Sequence, residues 1–290
     1  MHAENSRRNQ TLRRELAQVA ACLNRLDIEP VLLKGAIHLM AGLYREPGWR
    51  FMRDLDLLIP HDRAGEAVAC LGSLGYRPIP HCDELPAQHR HLPTLGHDAT
   101  IAVIEIHTEL LGVRELLRAG EVVARSRPVD LDDARVRVPD AADQLAHLIG
   151  HDRFDTDLGG SGFFLLRSVF ETALLCRDDL VLSRLLSRLG GTRLARSARV
   201  YHALAARLFP EHVASQADIA LDDRLLARAF LGLEQVDRDG SARRLFGYGS
   251  RQLANLVASP AWRKHFATNV RSSDYRRHCV QRLRGLWVGD

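Results

Sequence analysis

VLLKGAIHLMAGLY (31–44), followed after a short gap by RDLDLLIP (53–60), is the stretch that sets the fold. Pro30 introduces an apolar run ending at Gly35, and AIHLMAGLY then has helical character, so the run predicts a strand that turns directly into a helix. PGWRFMR, with Pro47 and Gly48, predicts a loop that delivers the chain into the β-length run DLDLLIP, stopped by Pro60. Downstream, Ala64, Ala67, Val68, Leu71 and Leu74 recur at helical spacing and the helix closes at Gly75. Upstream, Leu12, Leu16, Val19, Cys22, Leu23 and Leu26 mark an amphipathic helix from about Gln10 to Leu26. The order is therefore helix, strand, helix, strand, helix.

Beyond this unit, Arg77 to Asp98 is rich in Pro and His without a sustained period and predicts an irregular excursion. ATIAVIEIHTEL (99–110) is β-branched and alternating, a strand, and Arg135 to Pro139 can add one more. After Asp140 the texture changes to helical spacing through Leu145–Ile149, Phe163–Leu175, Val181–Leu189, Leu194–Leu208 and Leu225–Leu233, while Gly159 to Gly162 predicts a loop. The expected fold is α+β: a small mixed sheet with flanking helices over residues 1–139, then an α-helical domain over 140–290.

Composition narrows the function classes. Five cysteines without a CxxC pair indicate neither a disulfide framework nor a zinc knuckle, and no segment has the order of a signal peptide or an uninterrupted membrane span. A soluble cytoplasmic protein is expected. The net charge of +4 favours encounter with phosphate-bearing partners without identifying one. Only two of the forty basic residues are lysines, Lys34 and Lys264.

Candidate chemistry lies around the two quoted segments. On a strand, Asp54 and Asp56 point to one face with Cα atoms about 7 Å apart. Their repulsion is relieved by a divalent cation, for which carboxylate oxygen is the preferred hard ligand. Glu105 is a charged residue inside an otherwise apolar strand and offers a third carboxylate, with His107 on the same face. Glu109 or a residue of the helical half is the alternative third ligand. At the VLLKGA turn, Gly35 permits close backbone approach, and the following helix N-terminus favours an anion such as phosphate. Lys34 can add a point charge there, and Arg50 or Arg53 a planar fork.

Taken together, LLKGAIHL, R-x-x-R-D-L-D-L-L-I-P, the helix ending in LGY, and IEIHTEL resemble the uncharacterised bacterial nucleotidyltransferase family of the DNA polymerase β superfamily. The likeness spans roughly Val31 to Leu110 and continues more loosely into the helices around His147 to Leu175. It implies a glycine turn at Gly35 that opens a nucleotide site, Asp54 and Asp56 as magnesium ligands, and Glu105 as the third carboxylate. The implied activity is transfer of an NMP group from an NTP to a hydroxyl acceptor, with magnesium, or manganese in its place, as cofactor. The superfamily glycine is usually followed by Gly or Ser, whereas Ala36 follows here and Lys34 precedes; this Lys-Gly form is associated with the narrower family. A catalytically silent relative that binds a nucleotide or partner in the same cleft is the alternative.

Other groups have plainer readings. His147 and His151 have zinc-ligand spacing but lack the intervening Glu and a third ligand, although His151 and Asp152 can approach the cleft from the helical half. Arg167 and Glu171, four apart, predict a helix-surface ion pair. Arginine-rich stretches at Arg184–Arg199 and Arg263–Arg284 predict solvated faces, since the three tryptophans and nine phenylalanines show no interleaving with them of the kind used for base stacking. Neither a nucleic acid nor a membrane is an expected partner. The acceptor, a small molecule, peptide, protein side chain or RNA end, and the oligomeric state are left open by the sequence.

Overall fold

The computed structural model describes residues 2–79, 92–112, 116–155, 166–214 and 267. Seven strands form one mixed sheet: β1 (Val31–Leu33), β2 (Asp54–Leu58), β3 (Arg77–Pro78), β4 (Leu95–Gly96), β5 (Val103–His107), β6 (Arg127–Leu131) and β7 (Ala134–Val138), in the order β3-β4-β5-β2-β1-β7-β6. The described helices are α1 (His2–Asn24), α2 (Lys34–Ala41), α3 (Ala64–Ser73), α4 (Ala119–Arg125), α5 (Ala141–Gly150), α6 (Leu166–Leu175), α7 (Leu180–Leu189) and α8 (Arg193–Leu208). The mixed sheet with flanking helices is the expected fold class. The excursion after Arg77 begins and ends in the two-residue strands β3 and β4; β7 is the additional strand expected at Arg135–Pro139, while its hairpin partner β6 and helix α4 are elements that periodicity did not reveal. The expected loop at Gly159–Gly162, the helix at Leu225–Leu233 and, Ala267 apart, the basic stretch from Arg263 lie outside the described residues.

The two central strands decide where polar groups can go. Strand side chains alternate, so Leu55 and Leu57 of β2 and Ile104 and Ile106 of β5 bury on one face, where they meet Leu12, Leu16, Val19 and Leu23 of α1 and Ala67 and Leu71 of α3. On the opposite face Val31, Leu33 and Leu58 pack with Leu145 and Ile149 of α5 and with the apolar faces of α6, α7 and α8. Asp54, Asp56, Glu105 and His107 fall on that second face. Each fully buried Leu or Ile contributes roughly 1.5–3 kcal/mol, so the apolar half of the alternation supplies the energy that orients the acidic half.

Polar residues of α1 fix the ends of both strands. Asn9, 2% exposed, donates from Nδ2 to the carbonyls of Pro47 (2.6 Å) and Arg50 (2.7 Å), and Arg8 Nε donates to the Met52 carbonyl at 2.8 Å. Glu15 accepts from the Ala102 amide at 2.7 Å and the Ile101 amide at 3.1 Å. One helix thus sets both the loop that enters β2 and the start of β5.

Two expectations are corrected. The sequence indicated no disulfide framework, but Cys22 of α1 and Cys70 of α3 are bonded, because the two helices pack with these residues facing each other. Glu171 is not on a helix surface with Arg167: Glu171 is buried against Arg50, while Arg167 is exposed. Among the described residues no helix is long and apolar enough to cross a membrane.

Candidate active site

The strand register brings the acids together. β2 and β5 run parallel with Asp56 opposite Glu105 and Asp54 opposite Val103, while antiparallel β1 places Leu33 opposite Asp56. Lys34 follows Leu33 and starts α2 at φ +46°, a left-handed conformation that a lysine adopts at a cost of order 1–3 kcal/mol. This kink turns its side chain over the acidic face. Gly35, expected to permit close backbone approach to a ligand, lies against a side chain of the fold itself: a Cβ there would meet Met52 Cγ at 3.0 Å.

Asp56 is fully buried. Its Oδ1 accepts from Lys34 Nζ at 2.6 Å and lies 2.8 Å from His107 Nε2; Lys34 Nζ is 3.7 Å and His107 Nε2 3.5 Å from Glu105 Oε2. Burial opposes ionisation of Asp56, yet Lys34 and His107 outweigh it and hold the carboxyl well below its ordinary range. Burial likewise works against the charged forms of Lys34 and His107, and the acids beside them more than compensate, so both pKa values rise. Asp54, half-buried, is pushed up by burial first and then by the charges of Asp56 and Glu105. An added divalent charge would reverse that repulsion.

Asp56, Glu105 and His107 present ligand atoms within 4.8 Å of one another, and Asp54 lies two residues along the same face. Asp56 Oδ2 is buried without a hydrogen-bond partner. A buried carboxylate oxygen left in this way costs free energy that a cation recovers, so the donor set fits a small hard cation, with His107 placed to orient Asp56.

A cavity of about 90 Å³ adjoins this cluster, its wall including Lys34, His38, Arg50, His147, Asp152 and Glu171. Here the arginines expected near phosphate part company. Arg50 Nε lies 2.9 Å from Glu171 Oε1, which also accepts from Tyr44 Oη at 2.7 Å. Arg53 is exposed and stacks over Phe51, 5.5 Å from the ring centroid. Burial, foremost, lowers His38 to about 4 and drives His147 well below its ordinary value, so both imidazoles are neutral near pH 7. Asp152 is buried and accepts from Tyr201. His147 and His151 therefore reach the cleft, as wall residues of the cavity. His38, Tyr44 and Glu171 were missed as site residues; the signal available was a histidine at the fifth position of α2, one turn beyond Lys34.

A family described as uncharacterised nucleotidyltransferase matches residues 1–210. Among solved structures, the antibiotic-resistance factor ANT(2'')-Ia is similar at 13% identity and TM-score 0.42, over 70% of this chain and 98% of that one. An antigenic nucleotidyltransferase-like protein from Paracoccidioides brasiliensis is similar at 15% identity and TM-score 0.39, over 66% and 93% of the two chains. No curated protein matches the chain.

Proposed function

The chain belongs to the uncharacterised nucleotidyltransferase family, and on that premise we propose that it moves an NMP group from an NTP to a hydroxyl acceptor with a divalent cation held by Asp54, Asp56 and Glu105. The observation that carries this reading is the parallel register that sets Asp56 beside Glu105, with Asp54 two residues away on the same face. Magnesium or manganese bound there supplies Lewis-acid stabilisation of charge on the phosphoryl oxygens and the leaving pyrophosphate.

The chain's own groups do the rest of the work. Lys34 and the amides of the Gly35–Ala36 turn draw the triphosphate to the end of β1, and Arg53, exposed on the entering loop, adds a planar cation. Arg50 contributes from the wall of the cavity, where Glu171 holds it in place. Glu105, with 21% of its side chain exposed against 1% for Asp56, is the carboxylate that an acceptor hydroxyl can reach and the proposed recipient of its proton. His107 keeps Asp56 oriented. We also propose that the boundary near Pro139 separates the sheet unit from a helical unit, and that the acceptor enters between them.

The Lys34–Asp56 pair favours one rival, a silent relative, because it neutralises the charge of the buried carboxylate without any cation from outside. Incubation with each of the four α-labelled NTPs and magnesium separates the two readings. Pyrophosphate release or label transfer that is lost in Asp54→Asn is the expected result. Nucleotide retention without turnover, equal in the wild type and Asp54→Asn, would replace transfer with binding alone.

A further inference from the structure

Lys34 Nζ lies between Asp56 Oδ1 and Glu105 Oε2, in the space that a divalent ion bridging those two oxygens would need. It is 2.6 Å from Asp56 Oδ1 and 3.7 Å from Glu105 Oε2, and those two residues belong to the three whose ligand atoms cluster. Magnesium binds oxygen at roughly 2.0–2.1 Å. An ammonium in hydrogen-bond contact with Oδ1 cannot share this space with such an ion, so Lys34 in this position and a metal bridging Asp56 Oδ1 and Glu105 Oε2 exclude each other.

Three further observations bear on Lys34. Its left-handed backbone is held in place at the junction of β1 and α2, where a strained non-glycine residue persists only if its surroundings over-determine it. Lysine is used here in a chain that otherwise employs arginine almost throughout: the chain has two lysines among forty basic residues. A compact ammonium on a flexible stem can stand in for a small cation and then leave; a guanidinium fork cannot do both. Finally, Lys34 also lines the adjoining cavity, which gives the ammonium somewhere to go without leaving the site.

We propose that Lys34 is a tethered cation that competes with the divalent metal for Asp56 and Glu105 and yields when a triphosphate draws its ammonium away. The proposal rests on the metal-site reading above. It makes metal and nucleotide binding cooperative: metal alone must displace Lys34 against its ion pairs, whereas the triphosphate offers the displaced ammonium a new partner. By linkage the nucleotide must bind more tightly in the presence of metal by the same factor. The carboxylates are kept neutralised, and a metal ion is taken up together with the substrate it serves.

The test uses the full chain and a readout independent of turnover. With lysine labelled at the ε carbon, the two lysines give two side-chain NMR signals, and Lys34→Met assigns them by loss of one. Titration with magnesium alone and with magnesium plus a non-hydrolysable ATP analogue should move the Lys34 signal, at lower metal concentration in the second case. Manganese binding, followed by water-proton relaxation, should tighten at least tenfold in Lys34→Met without nucleotide. The gain in metal affinity brought by the analogue should shrink by a similar factor. Lys34→Gln serves as the second variant if the first does not fold, and circular dichroism checks both. Metal binding that leaves the Lys34 signal unmoved, or that is unchanged or weaker in the variants, overturns the proposal while leaving the metal site standing. Absence of manganese binding in the wild type and both variants, with and without the analogue, removes the metal-site reading and the proposal together.

Discussion

Asp56 and Glu105 are register partners across the parallel β2–β5 pair, yet only the first is sealed from solvent. Asp54, the other aspartate of β2, is half-buried, so the two aspartates are predicted to behave unlike each other. Asp54→Ala removes a half-buried acid repelled by its neighbours, so stability should change by less than about 1 kcal/mol. Asp56→Ala strands the Lys34 ammonium and the His107 ring, and breaking a buried pair in this way costs roughly 3–5 kcal/mol. Both should abolish transfer. Urea unfolding monitored by circular dichroism separates them.

The pair of Arg50 and Glu171 joins the loop before β2 to the middle of α6 at 2.9 Å, with both side chains largely buried. Glu171→Ala should destabilise by roughly 3–5 kcal/mol. The double variant Glu171→Ala with Arg50→Met should recover part of that loss, because no charge is then left unpaired. A double-mutant cycle in chemical unfolding measures the coupling, and strict additivity would show that the pair contributes nothing as a unit.

Acid should weaken the fold through His38. Its pKa is about 4 in the folded protein against an ordinary 6.5, chiefly from burial. Between those values the unfolded chain binds the proton and the folded chain does not, so stability falls as pH drops through that window. At about 1.4 kcal/mol per unit, the loss approaches the order of 3 kcal/mol by pH 4. The lowered His147 acts in the same direction. Below pH 4 protonation of Asp56, whose pKa is depressed, adds a separate loss. Thermal unfolding across pH 7 to 4 should show the slope, and His38→Gln should flatten it.

Asn9 is far from the acids in sequence but holds the loop that delivers them. Asn9→Ala removes two hydrogen bonds and leaves the Pro47 and Arg50 carbonyls without these donors. The expected cost is about 1–3 kcal/mol, with a fall in kcat larger than the change in KM for the nucleotide if the loop positions β2. Unchanged kcat in a folded Asn9→Ala protein would confine this residue to stability.

Much of this arrangement was legible before the structure. Alternation over DLDLL and VIEIH placed Asp54, Asp56, Glu105 and His107 on common faces, because the period of a strand is fixed at two. VLLKG announced the strand-to-helix turn through a short apolar run ending at a glycine. The partner of each acid was not legible, since register and the parallel pairing of β2 with β5 depend on contacts between residues nearly fifty positions apart. For the same reason helical spacing gave Glu171 a local partner in Arg167, when tertiary packing had brought Arg50 to it. The Cys22–Cys70 bond likewise depends on how α1 meets α3, which spacing along the chain does not encode. Roles at the glycine turn were legible only in outline: the left-handed residue is Lys34, and Gly35 is small because Met52 lies against it.

The central claim is that Asp56 and Glu105, with Asp54, hold one divalent cation under the nucleotide. Manganese bound to the wild-type protein together with a non-hydrolysable ATP analogue should give an electron-spin-echo spectrum with phosphorus couplings, and Asp56→Asn should lose that bound metal while remaining folded. Retention of manganese and its phosphorus couplings at wild-type affinity in folded Asp56→Asn and Glu105→Gln would contradict the account.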